Sequence, residues 1–134
     1  MSDGPAYRAN YALVEFSEHL GATSGGLDVP WAEFVGDHTT EKEFTVPVAA
    51  ARDGYVTVQA LDVGEFGHEI LINGESLSGF DIPPSEGWQC WMDVVTGVDL
   101  VEGTNTIQVV RDEDGADDFV IGTVRVNWRE PVTG

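Results

Sequence analysis

The stretch "YVTVQALDVGEFGHEILINGESL", residues 55–77, decides the fold class. Its first nine residues alternate around β-branched side chains, the period-2 pattern of a strand with one buried face. The glycines Gly64 and Gly67 then mark a loop. "HEILI" reads as a second strand, and Asn73-Gly74 follows it directly. Asn-Gly between two apolar runs is the preferred two-residue hairpin turn, because both positions need φ > 0.

The same style runs through the chain. "NYALVEFS" (10–17), "EFTVPV" (43–48), "WQCWMDV" (88–94), "NTIQVVR" (105–111) and "FVIGTVRVNW" (119–128) all read as strands, and no dozen-residue window carries clean helical periodicity. Gly103 before Asn105 marks a turn, Asp114-Gly115 in "RDEDGADDF" marks a hairpin tip, and Pro83-Pro84 makes "DIPPSEGW" a non-strand connection. The expected fold is all-β, an antiparallel β-sandwich of seven to nine strands, and residues 1–134 form one domain with an ordered core of about 7–130. The long irregular stretch 21–42 contains "PWAEFV", either a helical turn opened by Pro30 or a brief edge strand.

Composition bounds the function. The 24 Asp and Glu against six Lys and Arg give a formal net charge of −18. Nucleic acid and anionic lipid need a basic face, so neither is an expected partner. The acids are scattered among apolar runs rather than gathered in blocks, and 42% of the residues are hydrophobic, which argues for a folded domain rather than a disordered acidic tail. A single lysine and an acid-covered surface suit a protein adapted to molar salt, where screening relieves self-repulsion. One cysteine, Cys90, precludes an intramolecular disulfide, and neither a signal peptide nor an apolar run long enough to span a bilayer is visible. The expected location is the cytoplasm.

From Tyr55 onward the order of features, with the Asn73-Gly74 hairpin, a tryptophan-bearing strand and the strand opening Gly103, Asn105 and Ile107, resembles the jelly-roll sandwich of galactose-binding-like domains and related carbohydrate-binding modules. The whole chain also resembles a family of small uncharacterised haloarchaeal proteins, carried by "LDVPWAEFVGDH" and "DVGEFGHEILINGE". The resemblance implies a single sandwich domain and a halophilic archaeal source, and brings no activity with it.

The candidate binding residues are Trp88, Trp91, His68, Phe66, Asp81 and Glu65, with Trp31 in a nearby loop. Aromatic rings beside carboxylates are the chemistry on which a sugar ring stacks and is fixed. In "WQCWMDV", Trp88 and Cys90 face one way and Gln89 and Trp91 the other, so one tryptophan belongs to the core and the other nearer solvent. No metal site and no cofactor are expected: "DVGEFGHE" matches no zinc spacing, and "RDEDGADDF" has Ala116 and Thr123 where a calcium loop needs acids. No catalytic set stands out among His19, His38, His68, Cys90, Ser76, Ser78 and Ser85, and no nucleophile elbow or phosphate loop is present. The reading is a non-catalytic, salt-adapted module recognising a carbohydrate-like small molecule or a protein partner. The alternative is a small enzyme or divalent-cation-binding protein using His68, Glu69 and Cys90.

Overall fold

The computed structural model describes residues 6–77 and 81–132; Ser78 lies outside them. Nine strands follow in order: β1 (Tyr7–Leu20), β2 (Glu33–Gly36), β3 (Lys42–Val46), β4 (Arg52–Val63), β5 (Glu69–Ile72), β6 (Glu75–Ser76), β7 (Ser85–Val94), β8 (Gly103–Val110) and β9 (Phe119–Pro131). They form a five-stranded sheet, β2-β1-β9-β4-β7, and a four-stranded sheet, β3-β8-β5-β6. Without β2, this is the two-sheet order of an eight-stranded jelly roll. Pairing is antiparallel throughout except where β2 runs parallel to β1. In "PWAEFV" Pro30 and Trp31 form a turn closed by the Ala32 amide on the Val29 carbonyl (2.9 Å), and the edge strand begins at Glu33.

The core fills the space between the sheets. Val56, Val58 and Ala60 of β4 and Ile121, Val124, Val126 and Trp128 of β9 face Phe44, Ile70, Ile72, Ile107 and Val109 from the smaller sheet. Alternation in these strands places every second side chain inward, as their apolar pattern requires. The Asn73-Gly74 hairpin forms as expected, with φ of 53° and 81°. Asp114-Gly115 is a different matter: β8 and β9 belong to different sheets, so 111–118 is a crossing between layers and not a hairpin tip. In a jelly roll the chain changes sheets at such connections, and local turn chemistry does not reveal that.

One end of the sandwich is closed by a buried acid. Glu130 has no exposed surface and accepts hydrogen bonds from the Trp128 indole (3.0 Å), Arg8 Nε (3.0 Å) and Asn10 Nδ2 (3.3 Å). The indole bond most strongly holds its carboxyl below the usual range, the Arg8 and Asn10 bonds add to that, and burial works against it. A depressed folded-state pKa stabilises the fold above the unfolded carboxyl's pKa, and that contribution is lost as pH falls through the folded value. Glu130→Gln should therefore lower the melting temperature near pH 6, with the gap to wild type narrowing as pH drops below about 4.3, the ordinary glutamate pKa. Melting curves from pH 6 to pH 3 check this; a gap that widened with acid would contradict it.

Candidate functional site

The larger sheet turns its outer face to solvent, and two devices shape it. The first is a bulge. Pairing shifts between Glu15 and Glu18 in β1, where Ser17 has φ of 50°, and between Val58 and Ala60 in β4, both against residues 121–124 of β9. Gln59 Oε1 accepts the Thr123 amide there (3.2 Å), satisfying a donor that the ladder leaves open. The second is the kinked start of β7. Asp62, at φ 58°, accepts the Gly87 amide (2.6 Å), and Gly87 itself has φ of 72°. Together they direct Trp88 onto the face, where its ring lies over Gly122. A Cβ at Gly122 would stand 3.0 Å from Trp88 Cζ3, a tight approach that the ring would have to yield to by a few tenths of an ångström.

Trp31 joins Trp88 from segment 21–32. Their ring centroids are 5.9 Å apart with planes tilted by 35°, and they remain 55% and 49% exposed. The Asp118 carboxylate packs against Gly21 and Gly26 of segment 21–32, where a side chain would displace it. His19 Nε2 donates to the same carboxylate at 2.8 Å. Beside the tryptophans, Gln59, Trp88, Gln89 and Cys90 line an open hollow of about 270 Å³. Further along the face, Met92, Val94, Tyr11 and Leu13 are exposed.

The residues selected from sequence separate into four groups. Trp88 belongs to the platform. Trp91 points the other way, as alternation requires, and packs against the core. Phe66, Glu65 and Asp81 lie at the end loops, where Asp81 accepts the Gly67 amide (2.8 Å), Glu65 accepts the Ala116 amide (3.3 Å) and Phe66 is exposed.

His68 is not a surface group: it is 1% exposed. Its Nδ1 accepts the Asp112 amide (3.0 Å), which leaves the proton on Nε2 to be donated to Asp117 (2.7 Å). Phe119 packs on its ring at 4.3 Å. With both nitrogens engaged, His68 is a structural histidine. It also forms no pair with Cys90, which is exposed on the outer face of the other sheet edge. Among the described residues no group of three or more His, Cys, Asp or Glu is arranged to hold a metal ion.

Sequence reasoning named Trp31 without joining it to Trp88, and it passed over Tyr11, Arg125 and Asn127. The available signal was the alternation "RVNWR", which sets Arg125, Asn127 and Arg129 on one face of β9.

The fold is a β-sandwich like that of carbohydrate-binding modules. The structure is similar to the CBM36-1 domain of a multidomain xylanase from the hindgut metagenome of Trinervitermes trinervoides, with TM-score 0.57 and 16% identity over 87% of this chain and 96% of that one. Two weaker likenesses are the Podospora anserina GH26-CBM35 β-(1,4)-mannanase (TM-score 0.49, 14% identity, 92% of this chain and 28% of that) and the family 11 carbohydrate-binding module of Clostridium thermocellum solved with a β-1,3-1,4-mixed-linked tetrasaccharide (TM-score 0.44, 12% identity, 92% and 86%). Residues 8–130 match DUF7383, a family of unknown function, and the chain belongs to that family. No curated protein matches it in sequence.

Proposed function

We propose that the protein is a non-catalytic module that binds saccharide on the outer face of its five-stranded sheet, at the Trp31–Trp88 platform. The single observation carrying this reading is the pair of half-exposed tryptophans, Trp88 seated over Gly122 beside the Gln59 amide and Trp31 packed against it. A folded domain gains nothing in core stability from holding two indoles at its surface, and an aromatic surface beside a hydrogen-bonding amide matches the apolar face and hydroxyls of a pyranose. The shared fold with a domain of a xylanase supports the architecture, while the sugar itself is left to experiment. Affinity electrophoresis through gels containing soluble polysaccharides tests the reading. Retardation by at least one polymer, abolished in Trp88→Ala, is expected, and unretarded migration through every polymer would sink it.

A second reading, a protein partner, draws on Met92, Leu13 and Val94, aliphatic groups 62%, 62% and 51% exposed on the same face. Substituting Met92 and Leu13 with serine separates the two, since saccharide binding at the platform survives that change and a protein interface does not.

The net charge of −18 supports salt adaptation, and with it a halophilic archaeal source and a cytoplasmic setting, as part of the same proposal. Raising KCl from about 0.1 M to about 2 M, where screening reaches only ~3 Å or less, should stabilise the protein against urea by more than the ~1 kcal/mol of a single surface ion pair. A stability that is flat or falls with salt would remove this part of the proposal.

A further inference from the structure

The chain holds only six Lys and Arg, yet three of them gather on one end of the outer face. Arg52 and Arg129 lie over the Tyr7 ring at 4.8 and 5.6 Å, and Arg125 lies over Tyr11 at 5.7 Å. Asp53 approaches both Arg52 (3.7 Å) and Arg129 (3.6 Å), so one carboxylate answers two guanidiniums. Arg125 has no acidic partner within 4 Å among the described residues, although Asp and Glu outnumber Lys and Arg fourfold in this chain. A guanidinium left without a carboxylate on so acidic a surface is the unexpected feature.

Its surroundings form a receptacle. Tyr11, Asn127 and Tyr55 are direct neighbours across β1, β9 and β4. Asn127 is shorter than the tyrosines on either side, and its amide donates to the Tyr55 and Arg125 carbonyls at 3.4 and 3.3 Å, which keeps it low on the sheet. The result is a hollow of about 460 Å³ walled by the two tyrosines, with Arg125 and Arg129 at its two ends along β9. Tyr55 pairs six residues before Leu61, the partner of Trp88, so the hollow lies about 20 Å along β4 from the platform.

We infer that this hollow is a second subsite on the saccharide-binding face, and that it takes a carboxylate-bearing sugar unit, the ring between Tyr11 and Tyr55 and the carboxylate on Arg125. The inference rests on the reading of the outer face as a saccharide surface. Guanidinium and carboxylate match in a planar, bidentate pair. Such a hydrogen-bonded contact is short enough to persist in salt that screens the long-range field. The net charge of −18 disfavours a densely charged polymer, so the ligand is a largely neutral chain carrying isolated acid groups.

The test uses a glucuronic-acid-bearing oligosaccharide and its carboxyl-reduced counterpart, titrated calorimetrically in about 2 M KCl, a strength chosen for screening. Wild type is expected to bind the acid form at least tenfold more tightly. Arg125→Gln should bring both forms to the weaker affinity, Arg125→Lys should keep part of the difference, and Trp88→Ala should weaken both. Equal affinity for the two forms, with Trp88 still required, overturns the carboxylate subsite and leaves the saccharide reading standing. Acid preference that survives Arg125→Gln overturns it as well, by placing the carboxylate elsewhere. Binding of neither form removes both.

Discussion

Asp117→Ala should cost about 3 kcal/mol of unfolding free energy, since a buried donor left unsatisfied costs about 1–3 kcal/mol and this carboxylate serves several at once. The Asp117 carboxylate is 6% exposed and accepts the amides of Gly64 (3.0 Å) and Glu65 (3.1 Å) as well as His68 Nε2 (2.7 Å). One side chain from the β8–β9 crossing thus holds the β4–β5 crossing in place. Its removal strands a buried imidazole N–H and two loop amides at once. Asp117→Asn should recover part of the loss, because an amide keeps one acceptor oxygen. Urea unfolding in high salt measures both variants. A cost below about 1 kcal/mol, the worth of an ordinary hydrogen bond, would mean that the loops are held by something else.

The second large effect concerns binding. Trp31→Ala and Trp88→Ala should each weaken saccharide affinity at least tenfold, about 1.4 kcal/mol. The double variant should fall well short of the product of the two. The ring centroids lie 5.9 Å apart, and Trp31 arrives on a loop packed against Asp118 while Trp88 is seated on the sheet. Removing Trp88 takes away the surface against which Trp31 is placed, so part of the Trp31 contribution is already lost in the single change. Fully multiplicative effects in a calorimetric cycle would show that the two act as separate sites. Because Trp88 is half-exposed, its removal should leave stability nearly unchanged, which separates loss of binding from loss of fold.

The strands of this protein were legible because apolar alternation and turn residues are local. Tyr55–Val63 and the Asn73-Gly74 hairpin follow from neighbours in the chain. Strand ends were less so: β1 extends from Tyr7 to Leu20, beyond the alternating run, since pairing with β9 continues past the apolar pattern. The layer crossing at 111–118 was misread as a hairpin, because Asp-Gly serves either kind of turn and only the sheet assignment of β8 and β9 tells them apart.

The site divides along the same line. Trp88 and Trp91 were separable by period 2 alone. His68 was not placed by its type, since an imidazole between glycines and acids suits a surface as well as a core; its burial depends on Asp117, 49 residues away. The Trp31–Trp88 pair likewise depends on a loop folding across β9 and on a bulge that sets Gly122 beneath the ring, and neither is written near either tryptophan.

The most direct measurement is a titration of isotope-labelled protein with soluble oligosaccharides, followed through the four tryptophan indole N–H resonances. The outer-face account predicts shifts for Trp31 and Trp88, with Trp91 and Trp128 unmoved. Shifts confined to the loops around Phe66 and Asp81, or no shift with any saccharide, would contradict it.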